Sequence, residues 1–341
     1  MVNDKTWFWQ PKEWLSTLVV AWLAFAAGPL YGVNSQSLSL IDAREKALSG
    51  NPGLAGMQAR YEALSEVPSQ VGTLPDPVMS FNVMNLPEGD FDRHQENMTQ
   101  LQLGISQMFP FPGKLDLRET VAEFEAEAAL YSLGEMRLNL DRLVSVTWWE
   151  LHFMDRSLDT VKRNQALLRQ FVKVAKTKYE VGKGLQQDVL LAQLELSKLI
   201  DQEIRLRAMR KVLSIRLNTL MDVSPEQIVV LSTVTPTSLG SLAGESELFV
   251  RAESVRPVLD KHRAMIQASE SRLELARKDY YPDFILGVVY GDRADNNLGQ
   301  SRDDFLSVML SVNLPLWAGS KQDRAVQQRS RELVKIGRAH V

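Results

Sequence analysis

The sequence contains no cysteine among its 341 residues. This absence excludes a disulfide framework, a thiolate metal site, a cysteine nucleophile and lipid attachment through an N-terminal cysteine. Histidine is scarce and scattered, and no glycine-rich phosphate loop or nucleophile elbow is present. The sequence therefore offers no catalytic constellation, no cofactor motif and no metal site, and we interpret the protein as a non-enzyme. The four histidines are His94, His152, His262 and His340.

An excess of charge of one sign is also lacking, because 39 basic residues stand against 42 acidic residues, for a net charge of −3. Such a small net charge makes no electrostatic case for a nucleic-acid partner. Hydrophobic residues make up 45% of the chain. The protein can therefore bury a substantial core, and it must hold that core together by packing alone.

Long apolar runs are rare, and the one that stands out covers residues 15–27. It follows Lys5 and Lys12 and is itself followed by small residues, which is the pattern of an export signal. The run is shorter than the roughly 20 residues that a membrane-spanning helix needs. We predict that residues 1–34 are a signal peptide, with a buried core helix or an uncleaved anchor as the alternatives. Any other contact with a membrane would have to be made by strands.

Proline and glycine landmarks recur at one fixed separation. Asn-Pro-Gly at 51–53 is matched by Arg-Pro-Val at 256–258, and Pro110 is matched by Pro315, both at an offset of 205 positions. A period of this length is too long for a solenoid and indicates duplication of a domain-sized unit. The predicted units are a first repeat, 35–245, and an incomplete second repeat, 246–335.

Two pairs of segments, at 77–110 and 283–316, alternate between apolar and polar residues. Such alternation predicts strands with one face of each kind, at roughly the 9 to 11 residues of a transmembrane β-strand. A half-buried sheet of a soluble protein is the alternative, but the long charged loops 86–97 and 292–304 favour an exported barrel. The predicted lumen face comprises Ser80, Asn82, Gln100, Gln102, Ser307, Ser311 and Asn313.

Four strands are too few to close a barrel, because about eight is the smallest workable number. Several copies of the chain must therefore contribute strands. Three copies would supply twelve antiparallel strands, an even number, around a lumen lined by the polar face.

Most of the remaining chain is predicted to form unusually long helices. No proline occurs between Lys114 and Val181, so a helix on the order of 100 Å long is expected there. After a Gly-Lys-Gly turn at 182–184, a second helix completes a hairpin over 113–221, and a linker follows at 222–245. Apolar residues at every seventh position of the second helix predict a coiled-coil seam. The seam residues are Leu185, Ala192, Leu199, Leu206, Leu213 and Leu220.

Shorter helices are predicted before each pair of strands. Ser39 and Asp42 have the spacing of a capping box, in which each side chain bonds the backbone of the other residue. Pro52 and Pro257 should break or kink these helices at equivalent places in the two repeats.

Two motifs resemble a known family. The segment YEVGKGLQQDVLLAQ at 179–193 is similar to the motif at the tip of the first helical hairpin in the TolC family of outer-membrane efflux proteins. The segment QMFPFPGKL at 107–115 is similar to the entry into the long helix in the branch associated with heavy-metal efflux. The order of the predicted elements agrees with this family over nearly all of the mature chain.

The resemblance implies a mainly α fold with a transmembrane β part. It implies a homotrimer with a twelve-stranded β-barrel in the outer membrane of a Gram-negative bacterium and an α-helical tunnel through the periplasm. Such a channel would pass metal ions or small toxic compounds, and it would need no cofactor. Its partners would be a periplasmic adaptor (a membrane fusion protein), an inner-membrane pump of the RND type and outer-membrane lipid. Adaptor docking is assigned to the hairpin tip, at Tyr179, Gly182, Lys183, Gly184, Leu185 and Asp188.

The sequence departs from the family pattern near its C-terminus. Residues 322–335 read as only the first turns of the long helix that should follow the fourth strand, and 336–341 resembles a translated sequencing adapter. We therefore expect a truncated sequence that lacks the second helical hairpin and carries a non-native tail. Two other functions stay open, namely a duct for type I protein secretion and, in a different class, a soluble coiled-coil scaffold.

Overall fold

The computed structural model describes residues 37–232, 241 and 243–338. The predicted signal peptide lies outside these residues, as do part of the linker and the last three residues of the tail. The described chain is mainly helical and contains one small sheet. Its elements are α1 (Leu40–Gly50), α2 (Pro52–Ser65), α3 (Val67–Gly72), β1 (Val78–Met84), β2 (Gln100–Phe109), α4 (Lys114–Glu180), α5 (Gln186–Leu220), α6 (Glu245–Val255), α7 (Pro257–Lys278), β3 (Phe284–Asp292), β4 (Phe305–Val312) and α8 (Gln322–Arg338).

Local capping interactions set the bounds of the short helices. The Ser39 hydroxyl accepts the Asp42 backbone N–H at 3.1 Å and the Asp42 carboxylate accepts the Ser39 N–H, so the predicted capping box is confirmed. Asn51 ends α1 and caps α2, whose first residue is Pro52. Proline fits this position because its missing N–H would have no partner there. Pro257 begins α7 in the same way, so both prolines separate two helices as predicted.

The longest element, α4, spans 67 residues, or about 100 Å. It folds back on α5 through a tight turn, and the bounds of both helices agree with the sequence prediction. Leu199, Leu206 and Leu213 are partly buried on the face of α5 that meets α4, whereas Leu185 next to the turn is 66% exposed. The predicted coiled-coil seam is therefore present along α5 and ends before the turn.

Different neighbours cover the two halves of α4. Along the N-terminal half, α7 packs closely, and Arg256 pairs with Glu135 at 3.4 Å. Along the C-terminal half, α5 packs, and Arg210 pairs with Asp155. The contact with α7 is lined by small residues, which allow a short distance between helix axes. These buried residues include Ala122, Ala126 and Ala129 of α4 and Ala264, Ala268 and Ala276 of α7.

The main apolar core lies at the middle of α4, where α1, the end of α5 and the segment after α5 converge. Leu38 forms a parallel bridge with Leu231, and the Trp148 indole N–H donates to the Leu38 carbonyl at 3.2 Å. The core residues are Ala43, Ala47, Leu54, Leu133, Leu140, Val144, Trp148, Leu151, Leu217, Met221, Val229 and Leu231. Within the described ranges, no helix is both long enough and apolar enough to cross a membrane.

The four strands form one antiparallel sheet in the order β1-β2-β3-β4. The two strand pairs are joined at its centre, where β2 and β3 pair over nine residue positions, from Leu101 opposite Asp292 to Phe109 opposite Phe284. β1 and β4 are the edge strands, and each has one side unpaired within the described residues.

A largely buried ion pair connects the sheet to the long helices. Lys114, the first residue of α4, is 3% exposed, and its ammonium group donates to the Asp283 carboxylate at 2.9 Å and to the Tyr281 carbonyl at 3.0 Å. Asp283 immediately precedes β3 and also accepts the Phe111 backbone N–H at 2.8 Å. Burial alone would raise the pKa of Asp283, but the hydrogen bonds from Lys114 and Phe111 and the charge of Lys114 hold it below its usual value.

We call Phe111, Lys114, Tyr281 and Asp283 the strand–helix junction. The Phe111 and Tyr281 rings stack there with their centroids 4.5 Å apart. Because these contacts join the exit from β2, the start of α4 and the start of β3, they set the direction of the helices relative to the sheet.

Replacing Lys114 with methionine is expected to destabilise the protein by about 2–3 kcal/mol, because the substitution leaves a largely buried carboxylate without its hydrogen-bonded counter-ion. The measurement is the free energy of unfolding, from denaturant titration followed by far-UV circular dichroism. Lys198→Met is the matched control, since Lys198 pairs with Glu195 on an exposed helix face and should contribute under about 1 kcal/mol. Equal costs for the two variants would contradict a structural role for the junction.

Candidate functional site

One face of the sheet is a continuous exposed apolar surface. The cross-strand register places Met79 opposite Ile105, Ile105 opposite Val288, and Val288 opposite Val308. Met79 is 76% exposed and Val308 is 71% exposed. Monomeric soluble proteins rarely leave a patch of this extent uncovered. Other exposed residues of the face are Phe81, Val83, Leu103, Leu286, Tyr290, Leu306, Leu310 and Val312.

The opposite face brings together six of the seven predicted lumen residues, whereas Asn313 follows β4 and its side-chain oxygen accepts the Asp283 backbone N–H. One cross-strand row contains Ser80, Gly104, Val289 and Ser307, and the next contains Asn82, Gln102, Gly291 and Phe305. The second row is tightly packed, because a Cβ at Gly291 would lie 2.1 Å from the Gln100 Oε1 atom and would displace that side chain. The face also carries Val289, Phe305 and Met309, which the prediction omitted. A prediction from strict alternation along β4 would have assigned Met309 to this face, because it lies two residues from both Ser307 and Ser311.

The two loops that leave the sheet at β1–β2 and β3–β4 bind each other. Arg302 donates to the Glu96 carbonyl at 3.1 Å and to the His94 carbonyl at 3.3 Å. Arg93 pairs with Asp292 across the same gap. Sequence reasoning missed these contacts, because the partners are about 200 positions apart and the loops have no periodic pattern.

The hairpin turn has the hydrogen bonds of a Schellman cap. The Lys183 N–H donates to the Lys178 carbonyl at 2.8 Å, and the Gly182 N–H donates to the Tyr179 carbonyl at 3.0 Å. Gly182 has φ +70°, a conformation that L-residues with a side chain rarely adopt. The sequence motif at 179–185 is therefore explained first by the geometry of the turn.

All six predicted tip residues lie at this end of the hairpin. Leu185 is 66% exposed and Val181 is 61% exposed, so the turn presents an apolar surface. Asp188 lies in the first turn of α5, where its negative charge interacts favourably with the positive end of the helix dipole. The tip can therefore offer apolar contacts and one carboxylate to another molecule.

Each helix of the hairpin carries a second apolar line, away from the seam. On α4 the line falls at every seventh residue, and its apolar members are exposed, with Phe153 at 65% and Leu167 at 60%. Among the described residues, no element covers these side chains. The line on α4 is Val146, Phe153, Thr160, Leu167 and Val174, and exposed apolar residues of α5 include Leu190, Leu194, Ile204 and Val212.

No family profile matches the sequence, and no curated protein does. Solved structures do match. The outer-membrane channel OprN superposes with a TM-score of 0.70 at 18% identity, covering 88% of this chain and 69% of that one. The outer membrane protein VceC from Vibrio cholerae gives 0.70 at 18% identity, with 88% and 74% covered. CusC gives 0.67 at 12% identity, with 87% and 71% covered.

The chain has the fold of outer-membrane channels. At identities of 12–18% the likeness is one of fold. The apolar face of the sheet and the second apolar lines of both helices lie on surfaces that no described element of this chain covers.

Gly182→Ala is expected to weaken the hairpin turn by roughly 1 kcal/mol or more, because alanine is disfavoured at positive φ. Amide hydrogen exchange at 178–188 should speed up correspondingly. Gly56→Ala in α2 is the matched control, since a Cβ there meets nothing within 4 Å and the change should be neutral or stabilising. Unchanged exchange at the tip of Gly182→Ala would mean that the turn does not depend on this conformation.

Proposed function

We propose that the chain is a member of the TolC family of outer-membrane efflux proteins and forms the outer-membrane channel of a tripartite efflux system. The observation that carries this proposal is the sheet, which has an exposed apolar face and two open edges beside a helical hairpin about 100 Å long. A soluble coiled-coil scaffold would have no use for such a face. The channel fold of the similar structures supports the same conclusion.

The open edges favour assembly of three copies. An uncovered edge strand is a ready template for pairing with another chain, and β4 of one copy can pair with β1 of the next. Three four-stranded sheets would give a twelve-stranded barrel with its apolar face toward lipid. Ser80, Asn82, Gln102 and the other residues of the polar face would then line the lumen.

The hairpin would extend from the barrel into the periplasm as part of an α-helical tunnel. The second apolar lines of α4 and α5 support this arrangement, because they would pack against further helices in a closed tunnel wall. The exposed tip from Tyr179 to Asp188 would dock on a periplasmic adaptor, which connects the channel to an inner-membrane pump of the RND type. The motif at 107–115 favours metal ions among the cargoes, with small toxic compounds as the wider class.

Arginine at Leu103, on the apolar face, is expected to destabilise the assembled protein by about 2–4 kcal/mol if that face meets the bilayer midplane. Arginine at the adjacent Gln102 should cost far less and instead change single-channel conductance. The measurements are denaturant unfolding in lipid vesicles and conductance in planar bilayers. Equal destabilisation by Leu103→Arg and Gln102→Arg would contradict the assignment of the apolar face to lipid and of the polar face to the lumen.

Efflux tests the whole proposal. Expressed in a strain that lacks its own outer-membrane channel, the protein should restore resistance to a toxic metal or drug. Asp188→Arg should abolish most of this resistance at unchanged outer-membrane abundance, because it reverses the charge at the docking tip. Asp201→Arg, at an exposed position in the middle of α5, is the control and should retain resistance. Failure of the unsubstituted protein with every compound tested would refute an efflux role.

A further inference from the structure

The two strand hairpins of the sheet have the same register. Moving 207 positions along the chain from a residue of β1, and 205 positions from its partner in β2, gives a pair between β3 and β4. For example, Phe81 opposite Leu103 corresponds to Val288 opposite Val308. The offset of 205 is also the one between the proline landmarks of the sequence. Each residue next to one hairpin therefore has a defined counterpart next to the other.

The charged residues of the strand–helix junction have such counterparts. Lys114 follows β2 and Asp283 precedes β3, where they pair at 2.9 Å. The counterpart of Asp283 is Asp76, which precedes β1, again at an offset of 207. The counterpart of Lys114 is Lys321, which directly precedes α8 and lies two positions beyond the 205 offset, because the segment from the proline to the lysine is two residues longer there. The chain therefore carries a second set of junction residues.

The second set of junction residues is not joined within one chain. Lys321 and Asp76 are both exposed, and within the described residues neither side chain has a hydrogen bond or an ion pair. They lie beside the two edge strands, which are three strand spacings, or about 14 Å, apart. The counterparts of the stacked Phe111 and Tyr281 rings are Leu316 and Leu74, and these are 76% and 44% exposed. Contacts that are made in the first junction are therefore left open in the second.

We infer that Lys321 of one copy of the chain pairs with Asp76 of the next copy, and that this ion pair repeats the Lys114–Asp283 pair between chains. The inference rests on the proposed function, in which β4 of one copy pairs with β1 of the next. The first junction joins the end of β2 to the start of β3. Pairing of β4 with β1 would bring a second lysine and a second aspartate together in the same way.

The surroundings of Asp76 leave room for a lysine from another copy. Its carboxylate lies at an open cleft lined by residues of α3, by residues 73–75 and by Arg118 of α4. Within the described residues, no ion pair joins Arg118 to Asp76. A second copy fits this cleft better than an unrelated protein, because the chain itself supplies a lysine of the matching charge at the matching place in its own duplicated pattern. Complementary charges of this kind fix the register of binding.

The same offsets fix how β4 and β1 meet. Applied to the pairs between β2 and β3, they place Leu310 opposite Phe81 of the next copy and Val308 opposite Val83. All four side chains are exposed and belong to the apolar face, so this register keeps one apolar and one polar face around the assembly. A slip of two residues would also keep the faces, but it would move Lys321 about 7 Å along the strand direction. The ion pair therefore distinguishes the correct register from the slipped one.

Oxidative cross-linking of the full chain in outer-membrane vesicles tests the register, because the sequence has no cysteine of its own. Leu310→Cys/Phe81→Cys should give covalent dimers and trimers, since residues directly opposite each other have Cβ atoms about 5 Å apart, close to the distance that a disulfide spans. Leu310→Cys/Val83→Cys moves the second cysteine by two positions. This matched control should cross-link at least about fivefold less.

The aligned cysteine pair also reports on the ion pair. Lys321→Asp alone should lower the cross-linked fraction at least about fivefold, because it places two carboxylates together, and Asp76→Lys should do the same with two ammonium groups. The two substitutions combined restore the attraction, so cross-linking should return to within about twofold of its starting level. This recovery excludes misfolding as the cause of the loss. Lys46→Asp, at an exposed position of α1, is the control for a charge reversal elsewhere and should leave the fraction unchanged.

The outcomes separate this inference from the proposed function. Undiminished cross-linking in the two single charge variants, or stronger cross-linking of the shifted cysteine pair, would overturn the inference and leave the channel function standing. The same conclusion would follow if neither cysteine pair cross-links in a protein that conducts ions in planar bilayers. A chain that neither cross-links nor conducts would overturn both proposals.

Discussion

A helix of 67 residues cannot cover its own apolar surface, and this constraint organises the whole molecule. The helices α1, α2, α3 and α7 pack on the upper part of α4, and α5 packs on its lower part. These neighbours leave a second apolar line, from Val146 to Val174, exposed among the described residues. A helix of this length is stabilised when further helices pack on its exposed apolar line, because packing removes that surface from water.

The sheet also has apolar surface and strand edges that the described part of the chain does not cover. Each strand pairs with the next in the order β1-β2-β3-β4, but the outer sides of β1 and β4 have no partner within the described residues. The apolar face of the sheet is also exposed. Both deficits are removed if strands pair between copies and the apolar face meets lipid. The small residues of the opposite face, such as Gly104 and Gly287, allow neighbouring side chains to approach closely. If this face lines a lumen, they would leave it unobstructed.

The strand–helix junction connects the sheet to the long helices. Lys114 and Asp283 come from different halves of the chain, and their buried ion pair fixes where the sheet ends and the helices begin. A buried pair is weak evidence for stability in itself, because desolvation opposes the Coulomb attraction. Its value here is geometric, since the ammonium group is also held by a backbone carbonyl and the carboxylate by a backbone N–H.

The sequence by itself determined the local structure. Helix α4 could be delimited from the absence of proline and from Gly182, the seam from leucines at sevens, and the strands from alternation, because each depends on contacts between residues close in the chain. The tertiary structure alone decided that β2 pairs with β3, that Lys114 pairs with Asp283, and that the β1–β2 and β3–β4 loops bind each other. These contacts join residues that are 100 or more positions apart, or depend on which elements pack beside a helix, and no local period in the sequence records that choice.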